Sequence, residues 1–78
     1  MGECVIPMKS RTDAERGRRA AKANRINVTV VSIDPSITKN GCSVGLKISC
    51  EYASELEYIC DSRGIGHGEI IGRTIWQN

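Results

Sequence analysis

Between Ser43 and Cys50 the chain reads SVGLKISC, an alternation that only an extended backbone can use. Val44, Leu46, Ile48 and Cys50 fall on one side of a strand and Ser43, Gly45, Lys47 and Ser49 on the other, because successive side chains point to opposite faces. A strand with one apolar face needs a layer to cover it. The rest of the sequence supplies that layer as two helical segments placed between strand-like runs.

Cys4 to Met8 is a short apolar run that reads as a strand, with Pro7 expected at its end or at a bulge because it cannot donate a ladder hydrogen bond. Thr12 followed by Glu15 has the spacing of a capping box, and Ala14, Gly17, Ala21 and Asn24 recur at helical intervals, predicting a helix over Asp13 to Asn24. Its inward stripe is small enough to approach a sheet closely. Val28 to Ile33 is β-branched almost throughout and predicts a strand, and the turn-rich stretch Asp34 to Gly41 predicts a loop. Ala53, Leu56, Ile59 and Cys60 mark a second helix from Tyr52 to Arg63, stopped by Gly64 and Ile65. Glu69 to Ile75 completes the series as a strand, with Gly72 as a bulge and Trp76 to Asn78 as a tail.

The order strand, helix, strand, strand, helix, strand (βαββαβ) is that of a ferredoxin-like α+β domain: a split βαβ unit with a four-stranded antiparallel sheet and two helices on one face. One domain is all that 78 residues support. There is no Phe, so Val, Ile, Leu and Ala must form the core, and a domain this small buries only about 60% of its unfolded surface. Pairing of two copies through a sheet edge or Trp76 is therefore expected.

No apolar run approaches the roughly 20 residues that cross a bilayer, and MGECVIPMKS lacks the apolar core of a signal peptide. No membrane association and a cytoplasmic location are expected, with Cys4, Cys42, Cys50 and Cys60 as free thiols. No metal site is expected either, because the cysteines lack close spacing and His67 is the single histidine. Charge is uneven: Lys9 to Arg25 carries a net +5 and the remainder −3. Arginines on the first helix could hold phosphate, but the sheet offers no aromatic pair for stacking bases, so nucleic acid is the less favoured partner.

In the expected topology three connections share one edge: Pro7 to Thr12, Asp34 to Cys42, and Gly64 to Gly68. Cys42 would there lie beside a helix N-terminus, Lys9, Ser10, Arg11 and His67. A helix N-terminus and cationic neighbours both lower a thiol's pKa, and Gly41 permits a sharp turn before the cysteine. Cys42 is thus the candidate nucleophile or carrier atom, with His67 as a proton-transfer assistant and Gly66 allowing close approach of an anion. The competing readings are Cys42 as a small buried apolar residue and RGIGHGEI as an ordinary glycine-rich turn. Cys50 and Cys60 belong to inward stripes, and Cys4 could lie either way.

The strand CVIPM, the helix beginning at TDAERG, the loop DPSITKNGC, the strand SVGLKI and the ending RGIGHGEIIG together resemble the putative Se/S carrier protein-like family of small bacterial proteins, from Cys4 to about Gly72. Family members commonly carry a Cys-Gly pair before the third strand, where this chain has Gly41-Cys42-Ser43. The resemblance implies a thiol-bearing carrier or accessory role in sulfur or selenium metabolism. It also implies a persulfide or selenide held transiently on Cys42, no resident cofactor, and a protein donor or acceptor as partner. A small-molecule or anion-binding regulatory module is the alternative.

Overall fold

A computed structural model describes residues 2–33 and 44–71. It contains β1 (Glu3–Pro7), α1 (Arg11–Ala23), β2 (Thr29–Ser32), β3 (Val44–Ser49) and α2 (Cys50–Ser62). The described residues form an α+β domain with a three-stranded antiparallel sheet in the order β1-β3-β2. β3 is central, pairing Cys4 with Ile48 and Ile6 with Leu46 on one side, and Val30 with Leu46 on the other. Among the described residues no helix is long and apolar enough to cross a membrane.

The two helices cover the face that carries Cys4, Ile6, Met8, Leu46 and Ile48, and Leu56 and Cys60 close the core from α2. Alternation in β3 behaves as its sequence predicts, with Leu46 and Ile48 buried and Val44 partly so. α1 packs through Ala14, Gly17, Ala20 and Ala21. A Cβ on Gly17 would lie 2.9 Å from Leu46 Cδ1 and 3.1 Å from Met8 Cε, so the small stripe does bring the helix hard against the sheet. Asn24 leaves that stripe: it is exposed, and its side-chain amide donates to the Ala20 carbonyl at 2.8 Å.

The start of α1 differs from the expected Thr12 capping box. Ser10 is the N-cap: its Oγ accepts from the Asp13 amide at 3.1 Å and donates to Asp13 Oδ2. The pairing is therefore one of Ser10 with Asp13, and it moves the first helical residue to Arg11. Both helices stop in the same way. Ile26 donates to Ala21 and Ile65 to Cys60, six residues back to one, while Arg25 and Gly64 occupy the left-handed region at φ 62° and 69°. Each stop seats a buried isoleucine, Ile26 or Ile65, against the core. Gly64 adopts this backbone without penalty, but Arg25 pays for its Cβ. Replacing Arg25 with Gly should raise stability by about 1 kcal/mol, read from a denaturant midpoint, whereas Gly64→Ala should lower it by a similar amount.

Residues 67–71 run beside the outer edge of β1 through two isolated bridges, Met8 with His67 and Val5 with Ile71. Between these bridges β1 advances three residues and the facing segment four, so one extra residue interrupts the ladder there. The expected fourth strand is consequently not an element of the described residues. Its part from Gly72 onward, and Trp76 with it, lies outside them. Pro7 ends β1 and is oriented so that its missing N–H does not disturb β3, since the amide of Met8 is the one that reaches Val44 O at 2.9 Å. Pro7 faces the 67–71 segment instead, offering its carbonyl to Gly68 N at 2.8 Å.

The face of the sheet away from the helices is not open at its centre. Val5 is fully buried, Ile33 is 4% exposed, and a Cβ on Gly45 would sit 2.5 Å from Ile33 Cδ1 and 2.8 Å from Val5 Cγ1. Gly45, with no side chain, would by itself leave an open space on this face. Ile33 and Val5 fill that space.

Candidate functional site

Two of the three expected connections do meet at one edge. Lys9 N donates to Gly66 O at 3.2 Å. A Cβ on Gly66 would lie 2.9 Å from Lys9 Cδ and 3.1 Å from Asp13 Oδ2, so the chain passes here in close contact with the side chains at the start of α1. Ser10 spends its hydroxyl on the helix cap, and Arg11 is exposed as the first helical residue. The third connection, with Gly41 and Cys42, lies outside the described residues. The chain is described again from Val44, whose carbonyl binds Met8 at this same edge.

His67 is held from both sides. Its Nε2 lies 2.7 Å from Asp61 Oδ1 in the last turn of α2, and its Nδ1 lies 2.7 Å from Gly68 O. Both partners are acceptors, so only the doubly protonated ring satisfies both contacts. Burial works against that charged form. The Gly68 carbonyl, the Asp61 carboxylate and the more distant Glu57 outweigh burial and raise the His67 pKa above its ordinary value. A raised folded-state pKa means that the stabilisation is complete below the unfolded value of about 6.5 and fades as pH climbs through the folded one. Denaturant unfolding followed across neutral pH should show this decline, and His67→Gln should flatten it. A titration of the His67 ring by NMR that gives a midpoint at or below 6.5 would contradict it.

The cysteines divide sharply. Cys60 is a free thiol with no exposed surface, and burial, then Asp61, Asp13 and Glu57, push its pKa up, which keeps it unreactive at neutral pH. Cys4 and Cys50 were expected to be free, and they are joined in a disulfide with their Cα atoms 5.0 Å apart. Alternation alone extends the third strand as far as Cys50. The strand stops at Ser49, and Cys50 opens α2. Because Glu3 pairs with Ser49, Cys4 and Cys50 are diagonal across the end of the ladder, and the turn into the helix closes the remaining gap. The signal that the sequence carries is the alternation of β3, which turns Cys50 inward, to the side of the core that Cys4 also occupies.

Positive charge gathers on a different part of the surface. Arg18, Lys22 and Arg25 border a cleft of about 180 Å³, and Arg16, Arg19 and Arg63 border a second of about 220 Å³. Part of that charge is already answered within α1, where Glu15 pairs with Arg18 at 2.6 Å and with Arg19 at 3.4 Å. The Arg18 guanidinium beside it holds the Glu15 carboxyl below its ordinary pKa. Among the described residues no group of three His, Cys, Asp or Glu side chains is arranged to hold a metal ion.

Comparison with known proteins gives one family. The family described as putative Se/S carrier protein-like matches residues 3–71, nearly the whole chain. No curated protein and no solved structure matches.

Proposed function

The chain belongs to the putative Se/S carrier protein-like family, and on that footing we propose that it is a small thiol-bearing carrier or accessory protein of sulfur or selenium metabolism, with Cys42 as the carrier thiol. Family membership is the observation that carries this reading. Elimination among the other cysteines supports it: Cys4 and Cys50 are bonded to each other, and Cys60 is buried with a raised pKa. Cys42 stands two residues before Val44, which is hydrogen-bonded to the edge formed by Met8, Lys9, Gly66 and His67. In this reading the edge is one side of a ferredoxin-like fold, completed by a fourth strand that continues from Ile71. Lys9, Arg11 and the N-terminus of α1 favour an anionic sulfur or selenium, and the partner is a protein that donates or accepts it.

The chemistry asks little of the carrier. A cysteine thiolate attacks a terminal sulfur of inorganic polysulfide, the polysulfide shortens by one atom, and the protein retains a persulfide. Incubation with polysulfide followed by intact-mass and peptide analysis should show one added sulfur on the peptide containing Cys42. Cys42→Ser should abolish that adduct. Addition to no cysteine would overturn the carrier reading.

A second reading is favoured by the two arginine-walled clefts, which suit binding of a small anion or a nucleic-acid phosphate. Replacing Arg16, Arg19 and Arg63 with Gln separates the readings: it should remove salt-sensitive anion binding and leave sulfur loading on Cys42 intact.

A further inference from the structure

The Cys4–Cys50 pair has features that a simple staple does not need. Cys4 is 8% exposed and belongs to the core beside Ile6 and Ile48, whereas Cys50 is only half-buried. Of the two residues, Cys50 is therefore the more open to an external reagent. Cys50 is also the first residue of a 13-residue helix. The side chain of its N-cap, Ser49, makes no capping hydrogen bond, although the corresponding Ser10 in α1 does. The Cys50 amide donates to the Gly2 carbonyl at 3.0 Å, and no Ser49 hydroxyl caps the later amides of the first turn, so the positive end of the α2 dipole lies at Cys50 and favours a thiolate there. Exposed Glu51 in the first turn is the opposing charge. On the other side Gly2 backs the sulfur and sets no side chain of its own against it, an added Cβ there lying 3.7 Å from Cys50 Sγ.

We propose that Cys4 and Cys50 are a redox-active pair that exchanges with external thiols, Cys50 as the exchanging sulfur and Cys4 as the resolving one. This activity is separate from sulfur loading at Cys42. In the reducing direction the thiolate of a dithiol reagent or dithiol protein attacks Cys50 Sγ. The Cys4–Cys50 bond breaks, and its electron pair leaves on Cys4, which takes up a proton. The second thiol of the reductant then attacks the mixed disulfide, releases Cys50 as a thiol and leaves the reductant as its own disulfide. Two electrons and two protons pass to the protein. The reverse sequence oxidises a dithiol partner and restores the bond.

The test uses folded protein in the Cys42→Ser background, so that only Cys4, Cys50 and buried Cys60 remain. Oxidised protein is equilibrated with dithiothreitol buffers of graded potential, quenched by alkylation and weighed intact. Two thiols should become alkylated together while the circular dichroism spectrum remains that of a folded protein. Reduced protein is then treated with glutathione disulfide, and peptide mapping at early times should find the adduct on Cys50 at least about tenfold more often than on Cys4. In Cys4→Ser the Cys50 adduct should accumulate because nothing resolves it. An early adduct predominantly on Cys4, or reduction that proceeds only as fast as global unfolding, would overturn the proposal. Both readouts come from the chain with Cys4 and Cys50 intact, so they hold even if Cys4→Ser fails to fold. Failure of Cys42 to load sulfur would leave these outcomes unchanged.

Discussion

Replacing Cys4 and Cys50 together with alanine should lower the stability of the oxidised protein by about 4 kcal/mol, because the bond closes a loop between residues 46 positions apart. In the chain-entropy account most of this comes from the unfolded state, which loses conformations when its ends are tied. A chain of 78 residues has a total stability of about 4 to 12 kcal/mol at the usual value per residue, so the bond is a large fraction of the whole. Denaturant titrations of oxidised wild type, reduced wild type and the double variant measure it. The last two should agree within about 1 kcal/mol and lie well below the first. If oxidised wild type and the double variant coincide, the disulfide does not stabilise the fold.

Gly45→Val should destabilise by about 3 kcal/mol, against the direction that strand propensity alone would give. Valine favours a pleated strand, so on an open sheet face the substitution would help. Here the first added carbon already meets Ile33 Cδ1 at 2.5 Å and Val5 Cγ1 at 2.8 Å, with the Ile6 carbonyl oxygen at 3.1 Å. Ile33 can rotate its terminal methyl away, but a β-branched neighbour and a backbone oxygen yield little. Gly68→Ala is the control: its new carbon would find Pro7 at an ordinary 3.6 Å. A stability gain in Gly45→Val would show that the far side of the sheet is not packed as described.

The parts of the fold that sequence reveals are those fixed by local periodicity. Leu46 and Ile48 alternate with Lys47 and Ser49, and Ala14, Gly17 and Ala21 repeat at helical spacing, so each burial face follows from its own segment. Gly64 before Ile65 was readable as a helix stop for the same reason. The equivalent stop at Arg25 and Ile26 was not, because arginine seldom accepts positive φ and gives no compositional sign of it. What sequence misses depends on contacts between segments. The closure of Val5 and Ile33 over Gly45 joins three strand regions. The Cys4–Cys50 bond depends on where β3 yields to α2, a boundary displaced by two residues from the position that periodicity suggests. At the candidate site, the nearness of Lys9, Gly66 and His67 followed from the expected order of elements. The commitment of both His67 nitrogens to Asp61 and Gly68 did not, since a helix terminus and a following turn had to be superimposed to see it.

The additional residue between the Met8–His67 and Val5–Ile71 bridges changes the phase of that stretch. In an unbroken strand, positions 67 and 71 would project the same way. With the insertion, His67 shares the orientation of Met8 and reaches Asp61 under the helical layer, while Ile71 shares that of Val5 and serves the reverse side. A single span of five residues thereby stitches both surfaces of the sheet, and trimming it by one would force it to abandon one of them.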